Sequence, residues 1–239
     1  MARPIPILMY HNIARAPRGV KLRGLYVSPG RFARQMQLLR RLGYQGLSLT
    51  RALPWLRGER DGKVAVITFD DGYVDNLEHA LPVLQSVGFG ATCYVVSGQI
   101  GQYNAWDAEA LGVRKPLMDV VALRAWQEGG MEIGAHTRSH PHLPQLPAEK
   151  LEAEIRGSRE DLEDLLGSPV EQFCYPYGEA GAREIAVAQA AGFVSAVSTR
   201  RGRARPGEPL WSLPRVSVGG HHAPHVFPLQ LLTRHEDRH

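Results

Sequence analysis

Cysteine is scarce. Cys93 and Cys174 are the only two in 239 residues, and both sit inside apolar runs, "ATCYVV" and "EQFCY". That excludes a disulfide framework as the organising device, and the pair reads as small core residues in a reducing compartment. Long hydrophobic runs are missing too: no window approaches about eighteen uninterrupted apolar residues, so no membrane-spanning helix is expected. The opening "MARPIPILMYHNI" lacks the basic region, long apolar region and small-residue cleavage site of a secretory leader. The expected location is therefore the cytoplasm, with peripheral contact with a membrane left open. Positive charge is in modest excess, a net +4 with a pI near 9.2. The arginines form no run interleaved with aromatics, which argues against nucleic acid as a partner.

What is present is ordinary globular composition, 44% apolar and 22% charged, enough for one compact domain. A junction recurs in "RRLGYQGLSL", "QSVGFGATCYVV", "QEGGMEIGAH" and "QAAGFVSAVS": an amphipathic stretch, a glycine, then an apolar run. Glycine adopts the left-handed conformation that closes a helix, so each junction reads as a helix feeding a strand. The stretch "SPGRFARQMQLLRRLG" predicts a helix with Ser28 as N-cap, Pro29 in its first turn, a Phe32/Met36/Leu39 stripe and a stop at Gly43. Further helices are expected near 75–87, 118–128, 147–166 and 181–191. Strands are expected at "IPILMY", "YQGLSL", "VAVITF", "ATCYVV", "MEIGA", "EQFCY", "FVSAVS" and "LPRVSV". Alternation of this kind implies an α/β fold with a buried parallel sheet, either a barrel or a doubly wound sheet. Residues 98–117 break the rhythm and read as an insertion loop over the strand ends; 226–239 reads as a tail, frayed at its polar end "TRHEDRH".

Polar residues follow these strands: Tyr10 and His11, Asp70 and Asp71, His136 and His140, Tyr175 to Gly178, with Arg215 inside the last. In a parallel barrel they would converge on one face. Adjacent carboxylates at a strand end repel unless a cation or an arginine separates their environments, although Asp-Gly is also ordinary turn chemistry. His136 and His140, with Pro141 ending any helix between them, suit a metal such as zinc, cobalt or nickel. One carboxylate added from another strand makes a set that leaves metal positions open, which means catalysis. The spacing His-x-x-x-His alone is weak evidence. His142, after Pro141, is expected to pack or face solvent.

The ordered motifs "TFDDG" (68–72), "HTRSH" (136–140) and "YPYG" (175–178), flanked by "LMYHNI" and "LPRVSV", resemble the polysaccharide deacetylase family, also called the NodB-homology or carbohydrate esterase 4 family. The resemblance runs from about residue 5 to about 218. It implies a distorted (β/α) barrel of about seven parallel strands, and removal of acetyl groups from N-acetylated sugars with a divalent metal, usually zinc. Carried over, Asp71, His136 and His140 match the metal positions, Asp70 the general base, and the Tyr177 N–H the donor to the oxyanion. His11, Tyr175 and Pro176 are expected to border the substrate.

Two departures stand out. Cys174 occupies the position where the third motif commonly carries arginine; in the branch this chain resembles the later arginine takes over, making Arg215 the candidate to orient Asp70. The usual late Leu-x-His is absent, and neither His221, His222 and His225 nor His11 can be assigned as general acid. The expected substrate is a polysaccharide, oligosaccharide or lipid-linked glycan. An amidase acting on a small or cyclic amide, or a non-catalytic carbohydrate-binding protein, are the alternatives; exposed aromatics such as Trp106 or Trp211 beside an open groove would favour sugar.

Overall fold

A computed structural model describes residues 3–237. Eight strands, all parallel, form one sheet: β1 (Ile7–Tyr10), β2 (Gln45–Leu47), β3 (Val64–Phe69), β4 (Thr92–Val95), β5 (Glu132–Ala135), β6 (Gln172–Cys174), β7 (Ser195–Arg201) and β8 (Leu213–Ser217). The order β1-β8-β7-β6-β5-β4-β3 closes through pairing of β1 with β3, which makes a seven-stranded barrel in a single domain. The eighth strand, β2, shares an edge of β3 with β4: β2 pairs with Val64–Val66, and β4 with Thr68 and Phe69. That shared edge is one source of the barrel's distortion.

Successive side chains on a strand face opposite ways, and the burial sorts them into two cores. Ala65, Ile67 and Phe69 of β3 face outward and pack with Leu8, Tyr10, Phe173 and Ala196 under the helices. Val64 and Val66 face inward and pack with Ile7, Tyr94, Cys174, Val197 and Leu213. The outer layer comprises α1 (Pro29–Arg41), α3 (Leu81–Val87), α5 (Val120–Glu128), α6 (Ala148–Leu166) and α7 (Ala182–Ala190), with α2 (Leu49–Leu56), the short α4 (Ala108–Leu111) and α8 (Val226–Leu232) elsewhere in the chain. In α1 the buried stripe is Phe32, Gln35, Met36 and Leu39, and Phe32 meets Tyr10 edge-on at 5.2 Å. Ser28 is its N-cap residue, yet its side chain makes no capping bond.

Helix α2 was not expected from the sequence. Its residues Leu49, Ala52, Leu53, Trp55 and Leu56 join the inner core and plug the barrel at the strands' N-terminal ends. Short length and Pro54 hide the helical period. Its first amides find partners in neighbouring strands: Leu49 N–H donates to Thr92 Oγ1 (2.8 Å) and Thr50 N–H to a Glu132 carboxylate oxygen (3.3 Å).

The tail expected at 226–239, with a frayed polar end, is corrected in the same way. Helix α8 buries Phe227, Gln230 and Leu231, and beyond it Glu236 and Asp237 accept hydrogen bonds from Arg201 and Arg203. The tail's carboxylates pair with Arg201 at the end of β7 and Arg203 just after it. Residues 238 and 239 lie outside the described residues.

Candidate active site

The C-terminal strand ends collect the polar residues. Asp70 continues the inward row of Val64, Val66 and Thr68, with its N–H still in the ladder to the Tyr10 carbonyl (3.0 Å). Arg215 continues the inward row of Leu213 on β8 and is 1% exposed. Its guanidinium grips Asp70 through both oxygens at 2.7 Å each, with Nε donating to the Ser198 carbonyl (2.8 Å) and Nη2 to Cys174 Sγ (3.3 Å). Burial alone would raise the Asp70 carboxyl, but the charge and hydrogen bonds of Arg215 outweigh it and hold the group well below the usual carboxylate range. Asp70 is thus ionised near neutral pH.

Asp71 stands in a different environment one residue later. Its φ of 75° turns the chain out of the strand, and Oδ1 lies 3.6 Å from His136 Nε2 and 3.6 Å from His140 Nε2. His136 is oriented by its other ring nitrogen, 2.7 Å from the Cys174 carbonyl, which fixes the proton on Nδ1 and leaves the Nε2 lone pair facing Asp71. Thr137 and His140 are left-handed at φ 65° and 60°, and the Thr137 hydroxyl accepts the His140 N–H (3.0 Å), folding "HTRSH" back so that both rings meet. With Tyr177 at φ 57°, four non-glycine residues of this site adopt a conformation costing roughly 1–2 kcal/mol each. Strain concentrated at one spot marks a functional site.

The donors fit a divalent cation. One ligand atom each from Asp71, His136 and His140 lies within 4.8 Å of the others, and the 3.6 Å carboxylate–imidazole separations approach the edge of about 3.3 Å that zinc–nitrogen distances near 2.0–2.1 Å give a tetrahedron. Burial lowers His136 to about 4 and, with the neighbouring His136, holds His140 well below its usual range, so both rings are neutral with lone pairs available. Burial and then Asp70 push the Asp71 carboxyl well up; a cation held by the triad would offset that cost. Asp70, His136 and Cys174 also form a compact trio. Arg215 already fills that space from Asp70 and Cys174, so this trio fits a cation less well.

Around the centre, His11 Nε2 is 3.8 Å from Asp70 Oδ2. Tyr177 sits in the turn Pro176–Gly178, whose closing bonds run from Gly178 N–H to the Tyr175 carbonyl and from Glu179 N–H to the Pro176 carbonyl. Its half-exposed ring meets His140 edge-on at 4.7 Å and stacks on His142 at 4.0 Å, while Trp106 from the 98–117 segment stacks on His140 at 4.8 Å. His142 makes its own contact with Glu179 (3.1 Å) and stays away from Asp71. Tyr175 corrects the expectation of a substrate contact: it is fully buried, with its hydroxyl donating to the Trp211 carbonyl (3.1 Å), so Trp211 supports the outer core. Pro176 is buried and shapes the turn. Sequence reasoning passed over Tyr73, which is buried beside the Asp71 carboxyl. It also passed over Asn104, whose side chain holds Asp107, Lys115 and Val113 and so orders the insertion. For Tyr73 the available signal was its place two residues after Asp71.

The family description "Polysaccharide deacetylase" matches residues 57–196, more than half of the chain. The chain belongs to that family. It is 28% identical over 216 residues to "Putative polysaccharide deacetylase YxkH" of Bacillus subtilis, covering 90% of this chain and 71% of that protein. Among solved structures it resembles the Streptococcus pyogenes deacetylase PplD, determined in complex with acetate (TM-score 0.82, 25% identity, 97% of this chain and 99% of the other). It also resembles a polysaccharide deacetylase from Bacillus cereus (TM-score 0.79, 27% identity, 96% and 69%). Among the described residues no helix is long and apolar enough to cross a membrane.

Proposed function

We propose that this family member is a metal-dependent hydrolase that removes acetyl groups from N-acetylated sugars in a polysaccharide, an oligosaccharide or a lipid-linked glycan. The observation that carries the reading is the division between two adjacent carboxylates: Asp70 clamped by Arg215, and Asp71 facing two imidazole nitrogens. Asp71, His136 and His140 would hold the cation, with zinc the simplest choice and cobalt or nickel compatible with the same donors. When bound, it supplies polarisation of the amide carbonyl and acidification of water.

The rest is the work of the chain itself. Asp70 accepts a proton from the attacking water on a lone pair that Arg215 leaves free. A carboxyl held so far below its usual range does not keep that proton, and His11, neutral because burial lowers it, is in range to pass it to the leaving amine. The Tyr177 N–H, outside the two closing bonds of its turn, donates to the carbonyl oxygen as negative charge develops. Trp106 and Tyr177 flank His140 with aromatic surface suited to the apolar face of a sugar ring, which favours sugar over a small cyclic amide.

The test is acetate release from a panel of N-acetylated oligosaccharides, lipid-linked sugars and small amides, with and without added zinc. Asp70→Asn should lower release by about 10²–10⁴-fold while bound metal, measured by elemental analysis, is unchanged. Wild-type rates in that variant would remove Asp70 as base.

A further inference from the structure

We infer that the cavity between the loops following β1 and β8 is a subsite for a phosphoryl or diphosphoryl group carried by the sugar substrate. This rests on the deacetylase reading for the substrate and on four arginines for the anion. The cavity has a volume of about 620 Å³ and is lined by Arg15, Arg23, Arg31, Arg34, Ser28 and His221, among others, with no acidic residue in its wall. Among the described residues, none of these arginines has a carboxylate within 4.0 Å; the arginine and lysine ion pairs lie elsewhere. Three of the four, Arg15, Arg23 and Arg34, are exposed around this open cavity, so their mutual repulsion is screened by solvent, and an anion bound among them would be favoured by all four charges. Arginine's planar donors match phosphate oxygens in pairs.

Two further features prepare the site. The Arg31 side chain donates through Nη1 to the Gly220 carbonyl (2.6 Å), which ties α1 to the loop after β8 and holds that guanidinium across the cavity. Ser28, the first residue of α1's opening, also lines the void, and the first turn carries no acid and no side-chain cap. The positive end of a thirteen-residue helix therefore adds to the arginine field.

Position links the cavity to the reaction. β1 and β8 are hydrogen-bonded neighbours, Leu8 opposite Val216 and Met9 opposite Ser217, and the two deliver His11 and Arg215 to Asp70. Arg15 follows His11 by four residues, so their Cα atoms are within about 14 Å. A phosphate on the sugar ring or one ring beyond it, met by the reach of an arginine side chain, falls within that limit.

The binding test is calorimetric titration of the full chain with inorganic pyrophosphate at physiological ionic strength, for wild type and for Arg15→Gln/Arg34→Gln, which leaves the Arg31–Gly220 tie intact. Binding should weaken about tenfold or more in the variant. The kinetic test compares an N-acetylglucosamine oligomer with the same oligomer phosphorylated at its reducing end. A higher kcat/KM for the phosphorylated form, collapsing in the variant through KM, is expected. Arginine-dependent pyrophosphate binding with no acetate release from either sugar would retain the anion site and overturn the deacetylase reading. Equal turnover of both sugars without pyrophosphate binding would do the reverse. Binding to phosphatidylglycerol vesicles alone, with no pyrophosphate binding, would assign the arginines to a lipid surface and overturn the proposal.

Discussion

Arg215 enters the site because Cys174 is small. Where the family pattern commonly places an arginine two residues before the proline, a thiol leaves inward space, and a guanidinium from β8 fills it at 3.3 Å from the sulfur. The turn that follows is as tightly fitted. Gly178 has φ 78°, and a Cβ there would lie 2.5 Å from the Thr199 backbone nitrogen and 2.0 Å from its hydroxyl. Gly178→Ala combines the left-handed penalty with a backbone clash, so a loss of about 2–4 kcal/mol in urea unfolding is expected, together with loss of acetate release as Tyr177 shifts. Elemental analysis should still find metal, because no triad residue is in the turn. Unchanged stability would show that the turn relaxes without strain. That Asp70, Asp71, His136 and His140 would meet at one end of the barrel was legible in the sequence, because each follows an apolar strand run. Tyr175 was misread because its motif position did not reveal that its side chain takes the outward alternation of β6.

Elements with long periodic patterns were legible too: α1, α6 and the strands follow their apolar spacing. Three helices escaped: α2 and α8, eight and seven residues long and each containing proline, and the four-residue α4 inside the 98–117 segment, so none carries enough turns to show a period. What holds the segment after α8 is charge pairing, which only tertiary contact reveals. Hydrogen bonds from Arg203 lower the Asp237 carboxyl. A folded-state pKa below the unfolded value contributes stability above about pH 4 that is lost as pH falls through the folded value. Asp237→Asn should cost about 0.5–1 kcal/mol near neutral pH, and its difference from wild type should shrink on acidification. Urea midpoints for both proteins at about pH 7 and about pH 4 check this; a gap that widens in acid would assign the stabilisation to another group.

At the scale of the molecule, the barrel is sealed by α2 at one end and strained at the other. The alternation on β3 and β8 sends Asp70 and Arg215 down the axis, where a bidentate ion pair settles their charges without help. Asp71, His136 and His140 have no such internal solution: the carboxylate is buried beside a second one, and both imidazoles present lone pairs. A cation completing this set must stabilise the native barrel over the unfolded chain, by about 4 kcal/mol at a thousandfold excess over Kd. For a chain of this size that raises Tm by roughly 8–16 °C. Chelator-treated protein should therefore melt lower with unchanged far-UV dichroism, and added zinc should restore the higher transition. Asp71→Asn should lose the response while Arg15→Gln/Arg34→Gln keeps it. A melting temperature indifferent to zinc in the chelator-treated wild type would mean that the triad does not hold a metal, whatever its geometry suggests.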